Sequence, residues 1–247
     1  MIEKQIYNFG FIFALEEEAK SLIDFLSKFS RSKIILNEVK RKLFYFELSK
    51  EINLLNHKTN KIYIFISSVG KTNASIASTH LIVKYKIDIL INIGVVGVID
   101  KSIKLLSPIL INYSKYYDVD LTIFNYENNQ LPNTPSSFQT NMFLLENIKN
   151  VLLKNKIKFY EANIASGDKF ITKKNIKFLN LVKSGIKVID MELASIMHTA
   201  FLYKIPIISV KFGSDYVLSP NNDAEYKKII KKYSKEFRKF IKLLFLN

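Results

Sequence analysis

The strongest constraint on the fold of this chain is the alternation of uninterrupted apolar runs of strand length with amphipathic stretches of helical period. The runs fall at residues 7–15, 43–48, 62–67, 87–93, 106–111, 159–165, 187–189 and 206–212; between many of them, residues 19–29, 72–85, 142–155, 174–184, 192–203 and 224–245 repeat apolar side chains every three or four positions. Strands that read as continuous apolar stretches are buried on both faces, so the pattern predicts a largely parallel or mixed sheet covered by helices on both sides. Short hairpin-like runs between residues 31 and 67 predict antiparallel additions. With 247 residues, 48% of them hydrophobic, and no repeat or Pro/Gly/Ser tract to mark a boundary, residues 1–247 read as a single domain.

Composition narrows the chemistry. The absence of Cys removes disulfides, thiolate nucleophiles and zinc clusters, and His57, His80 and His198 show no metal-ligand spacing, so metal catalysis is not expected. The apolar windows are too short and too polar to span a bilayer, and residues 1–5 lack the basic-then-apolar order of a signal peptide, which predicts a cytoplasmic protein with no membrane partner. A net charge of +15 invites a nucleic-acid partner, yet only Arg31, Arg41 and Arg238 supply the bidentate fork that such surfaces favour. The excess of Lys, Asn, Ile, Phe and Tyr follows AT-rich codons, and compositional drift explains the charge more simply.

Polar groups gather where the apolar runs end, the place where open α/β sheets bind ligands. Glu16, Glu17 and Glu18 follow the first run directly and open a helix. The Gly-containing turn 67–73 leads into another helix with backbone N–H groups free for an anion or hydroxyl; it is no P-loop, because that spacing needs glycine where Phe65 stands. Gly97 permits close backbone approach after the fourth run, and residues 165–171 put Phe170 where it either stacks on a flat ring or caps the core. Asp190 and Glu192 share one side of an extended segment, so one caps the following helix while the other faces a cleft. Ser214 and Asp215 end the last run, where helix capping is the alternative role for Asp215. No Ser-His-Asp order, HExxH or GxSxG occurs, which leaves carboxylate chemistry: one acid polarises water while another protonates a leaving group, as glycosidic cleavage requires.

In this order the motifs resemble the 5'-methylthioadenosine/S-adenosylhomocysteine nucleosidases of the purine nucleoside phosphorylase superfamily over nearly the whole chain. The resemblance rests on Ala14-Leu15-Glu16-Glu17-Glu18, Ser68-Val69-Gly70-Lys71, Asn92-Ile93-Gly94 with Gly97, residues 118–126 followed by Gln130-Leu131-Pro132, residues 166–171, Met191-Glu192 and Ser214-Asp215. It implies a three-layer α/β/α sandwich with a central mixed β-sheet. The implied activity is hydrolysis of both nucleosides to adenine and the thioribose, in methionine salvage and methyl-cycle by-product removal, by a cofactor-free homodimer. Carried over by position, Glu18 is the water-activating base and Asp215 the proton donor to the purine. Phe170 stacks on adenine, the Ile171 backbone bonds its edge, Glu192 takes the ribose hydroxyls and Met191 packs on the sugar. Val96, Gly97, Asp190 and Ser214 complete the substrate pocket, and Phe124, Tyr126 and Pro132 match residues that reach into the neighbouring subunit's pocket.

The sequence departs from the family's usual Ser at Val95, Gly at Val98, Glu at Asp190 and Arg at Lys211. Val95 removes a hydroxyl near the expected water, Asp190 is one methylene shorter, and Lys211 keeps charge without the guanidinium fork. Two alternatives stay open. A phosphate-dependent nucleoside phosphorylase has the same fold, although none of the three Arg lies in a matching motif. A non-catalytic basic binding protein would use Lys227, Lys228, Lys231, Lys232, Lys235, Arg238 and Lys239, for which a solvated helix face is the simpler account.

Overall fold

A computed structural model describes residues 6–38, 41–174 and 184–246. The apolar runs form strands as expected: β1 (Asn8–Phe13), β4 (His57–Ile66), β5 (Ile89–Val98), β6 (Pro108–Tyr116), β8 (Tyr160–Ser166), β9 (Val188–Asp190) and β10 (Ile207–Tyr216). Between residues 30 and 66 the expected antiparallel additions appear as β2 (Ser30–Glu38) and the long β3 (Arg41–Leu54), which pairs with β2 on one edge and β4 on the other. The two-residue β7 (Phe138–Gln139) pairs with β6 and had no signal in the sequence. Helices α1 (Glu16–Leu26), α2 (Lys71–Tyr85), α3 (Met142–Lys154), α4 (Leu193–Tyr203) and α5 (Asn222–Leu246) match five of the periodic stretches. The sixth, at 174–184, lies almost wholly outside the described residues.

One apolar layer joins α1, α3 and α5 to the sheet through Leu22, Leu145 and Phe237; the opposite layer joins α2 and α4 through Ala77, Leu81 and Met197. This is the expected α/β/α arrangement with a mixed sheet. Within it, β5 pairs with β10, β10 with β6, β6 with β8, β8 with β9 and β9 with β5 again, so five strands close on themselves while β1, β4, β3 and β2 run off as an open wing. Closure and wing share β5. Its first half pairs with β1 up to Asn92, its end pairs with β9 from Gly97, and among the described residues no strand lies beside the backbone between them on that edge.

Candidate active site

The gap along β5 is where the acids arrive. Adjacent residues of a strand present their backbone groups to opposite edges. Val95 therefore offers its N–H to the edge that β1 has left, and Val96 offers its carbonyl to β10. Two carboxyl groups meet β5 from these two sides.

Glu18 comes from the β1 side. Of the three consecutive glutamates, Glu16 pairs with Lys42 at 2.7 Å in solvent, Glu17 is exposed, and Glu18 is buried. Its Oε2 turns back over the start of α1 to accept from the backbone N–H of Ala14 at 3.1 Å and Leu15 at 3.0 Å, and its Oε1 accepts from Val95 N–H at 2.9 Å. Burial pushes the Glu18 carboxyl above its ordinary range, opposed by Lys211 and the three amides. A methyl group on Gly94 would sit 2.8 Å from Oε1, so the strand carries glycine where the carboxylate crosses it.

Asp215 comes from the β10 side. The sequence expectation that β5 and β10 end before their glycines is corrected here: both run on, through Gly94 and Gly97 to Val98 and through Gly213 to Tyr216. A register shift between Gly213 and Asp215 leaves Ser214 without a partner in the ladder and sets Asp215 opposite Gly97, a bulge beside the site. Asp215 caps no helix. Its Oδ1 lies 2.6 Å from the Ser214 hydroxyl, which is also 3.0 Å from the Val96 carbonyl, and its Oδ2 accepts from Asn222 Nδ2 at 3.0 Å. Burial raises its pKa against these two donors.

A third group of charges closes the floor. The Asp190 carboxylate accepts from Leu193 N–H at the start of α4, as expected for one of the two acids of this segment, and from Ser166 Oγ at 2.5 Å. It also meets Lys211 Nζ at 2.9 Å with both side chains buried, so two of the chain's departures from the family pattern contact each other. Glu192 faces the cavity and accepts from Gly70 N–H at 2.9 Å. One buried ammonium among three carboxyls leaves excess negative charge, and burial together with Asp190 pushes Glu192 up to about 8. The folded protein therefore keeps a proton that the unfolded chain loses near its ordinary value of 4.5, and stability falls as pH rises from there to about 8. Glu192→Gln removes that titration. Its Tm is expected to decline less steeply between pH 5 and 8 than that of the wild type, since Glu18 and Asp215, also raised by burial, still titrate; parallel melting curves would contradict a retained proton on Glu192.

Two N–H groups of turn 67–73 are thus filled from within the chain: Gly70 by Glu192 and Lys71 by Asp168 at 2.8 Å. The segment that carries Phe170 is fixed just as firmly. The Tyr117 hydroxyl lies 2.8 Å from the Gly167 carbonyl and 2.6 Å from that of Lys169, and a methyl group on Gly167 would strike the same ring at 2.5 Å. Phe170 stands 43% exposed on the wall of a cavity of about 230 Å³, its ring in a T-shaped pair with Tyr226. Every catalytic or substrate-pocket residue named from the sequence lines this cavity. Phe124, Tyr126 and Pro132 do not; Phe124 is 68% exposed on the segment after β6. Sequence reading missed Tyr226, which lines the cavity, and Asn222, the buried partner of Asp215. Asn222 was legible only as a polar residue ahead of a helical run.

The description "Phosphorylase superfamily" belongs to the family model that matches residues 8–245. Over 238 residues the chain is 34% identical to a 5'-methylthioadenosine/S-adenosylhomocysteine nucleosidase of Buchnera aphidicola subsp. Schizaphis graminum, covering 95% of this chain and 94% of that protein. Among solved structures, the fold is similar to a 5'-methylthioadenosine/S-adenosylhomocysteine nucleosidase from Neisseria meningitidis in complex with methylthio-immucillin-A, with a TM-score of 0.83, 22% identity and coverage of 97% and 98%. It is equally similar to the futalosine hydrolase of Helicobacter pylori, with a TM-score of 0.84, 20% identity and 97% of each chain covered. The fold is common to both activities.

Proposed function

The chain belongs to the 5'-methylthioadenosine/S-adenosylhomocysteine nucleosidases of the phosphorylase superfamily, and on that premise we propose that it hydrolyses the N-glycosidic bond of both nucleosides, releasing adenine and the thioribose. The observation that carries the reading is the pair of buried carboxyls meeting β5 from its two edges, both lining one cavity and both held above the ordinary carboxylate range by burial. Protonated Asp215 gives its proton to purine N7 as the bond between C1' and N9 breaks and the bonding pair stays with the base. Positive charge develops on the ribose; a water adds to C1' and passes its proton to ionised Glu18, and solvent exchange returns the two acids to their starting forms. The exposed ring of Phe170 supplies a stacking face, the Ile171 backbone the hydrogen bonds to the purine edge, Glu192 an acceptor for the ribose hydroxyls, and Met191 packing for the sugar.

The phosphorylase alternative needs cationic donors and free amides for phosphate. Here the amides of Gly70, Lys71 and Val95 are occupied by the chain's own carboxylates, and the buried Lys211 is paired with Asp190. The binding-protein alternative is weakened by α5, which turns Tyr233, Phe237 and Ile241 into the core and leaves Lys228, Lys232, Lys235 and Arg238 as a solvated outer face. Among the described residues no helix is long and apolar enough to cross a membrane, which agrees with a cytoplasmic site of action. The unbroken pairing from β2 to β10 supports residues 1–247 as a single nucleosidase domain. Exposed Phe124 and Pro132, away from their own cavity, support a homodimer in which they reach the neighbour's site.

Purified protein is expected to release adenine from both substrates at the same rate with and without phosphate, and to sediment as two chains. Phosphate-dependent release would establish the phosphorylase instead, and a monomer at full activity would remove the dimer from the site.

A further inference from the structure

The Asp215 carboxyl is held by a residue that does not line the cavity. Asn222 opens α5 and is 2% exposed. Its Nδ2 lies 3.0 Å from the Ile171 carbonyl and 3.0 Å from Asp215 Oδ2. A backbone carbonyl only accepts, so the amide end facing Ile171 is the NH2 end, and its second hydrogen points at Oδ2. Oδ2 is therefore an acceptor in both protonation states of Asp215. The other oxygen sits differently: Ser214 Oγ, 2.6 Å from Oδ1, has the Val96 carbonyl at 3.0 Å to take its own hydrogen and is left free to accept one from the acid. Besides these neighbours, the titratable groups facing Asp215 are Glu225 and Tyr226, both on α5, and Glu225 is itself anchored by Tyr216 N–H and the Ser219 hydroxyl.

We propose that Asn222 is a positioning residue for the proton transfer: oriented by the Ile171 carbonyl, it confines the transferable proton of Asp215 to Oδ1 and stabilises the carboxylate left after the purine has taken that proton. The same amide joins the acid to the segment that presents Phe170 and Ile171, so the proton donor and the purine-edge backbone are held in one register. The inference rests on the reading of Asp215 as the acid.

The test compares Asn222→Ala and Asn222→Asp with the wild type through the pH dependence of kcat/KM for adenine release from 5'-methylthioadenosine. Loss of a hydrogen bond to a charged group is expected to lower kcat by about 10- to 100-fold in both, with KM little changed. The alkaline limb, where Asp215 loses its proton, is expected to move to higher pH in Asn222→Ala because the carboxylate has lost a donor. It should move further in Asn222→Asp, where a like charge replaces that donor without changing side-chain size. A purely structural role lowers activity without displacing the limb, and either an unmoved limb or a reversed order of the two variants overturns the proposal. Should the alanine variant fold poorly, the displacement in the isosteric aspartate variant decides alone. A wild-type protein that releases no adenine overturns the proposed function itself, which is a separate outcome.

Discussion

Asp215→Asn is expected to lower kcat for adenine release by about 10²- to 10⁴-fold while KM and Tm stay close to wild type. The asparagine keeps the shape of the protonated acid. Its carbonyl oxygen replaces Oδ2 as the acceptor for Asn222 Nδ2, and its NH2 group takes the Oδ1 position, where the Ser214 oxygen accepts from it while the Ser214 hydrogen goes to the Val96 carbonyl. No buried polar group is orphaned, so the substitution removes a transferable proton and little else. The measurement is a single-turnover rate beside a binding constant for the intact nucleoside. Turnover within tenfold of wild type would show that the purine leaves without help from Asp215.

What the sequence showed of this site follows from what each residue does locally. Glu18, Glu192 and Asp215 could be picked out because each stands at or near the carboxyl end of an apolar run, in company that a plain solvated helix start does not need. Alternation by two foresaw that one of Asp190 and Glu192 meets the helix start while the other faces a cleft; the contacts give the first role to Asp190 and the second to Glu192. The same logic failed at Gly94 and Gly213, which resemble strand ends but are the points where β5 and β10 pass a carboxylate and a bulge. A glycine that makes room for a neighbouring side chain leaves the same mark in a sequence as one that ends a strand.

The closed ring of five strands and the partnership of Asn222 with Asp215 were not legible for a related reason. Both depend on contacts between segments whose order along the chain carries no register: β9 bridges β8 and β5 with three residues, and Asn222, at the start of α5, folds back onto Asp215 across the turn that follows β10. Lys211 was visible as a departure and Asp190 as another. That they form one buried pair, 2.9 Å apart, is a fact of packing, and it explains how a shorter acid and a slimmer cation occupy neighbouring places.

Glu18→Gln is expected to be the second severe variant, with a loss of about 10²- to 10⁴-fold in kcat, but unlike Asp215→Asn it also costs stability. The Glu18 carboxylate accepts three backbone N–H groups, two at Oε2 and one at Oε1. A carboxamide has one accepting oxygen, so its NH2 must face either Val95 N–H or the pair from Ala14 and Leu15. The less costly orientation leaves Val95 unsatisfied at the gap in β5, a penalty of about 1–3 kcal/mol that lowers Tm by roughly 2–4 °C per kcal/mol. The pH profile separates this damage from lost chemistry. Glu18 must be ionised to take a proton from water, and burial holds its pKa above the ordinary 4.5, so wild-type kcat/KM is expected to fall as pH drops through that raised value. In Glu18→Gln the acid limb disappears, because the group that titrates there is gone. A variant that keeps the limb in place and loses only Tm would return Glu18 to a structural role, three amides gathered at the split of the sheet, and would move the base to Glu192, which lines the same cavity and, unlike Asp190, has no ion pair with Lys211.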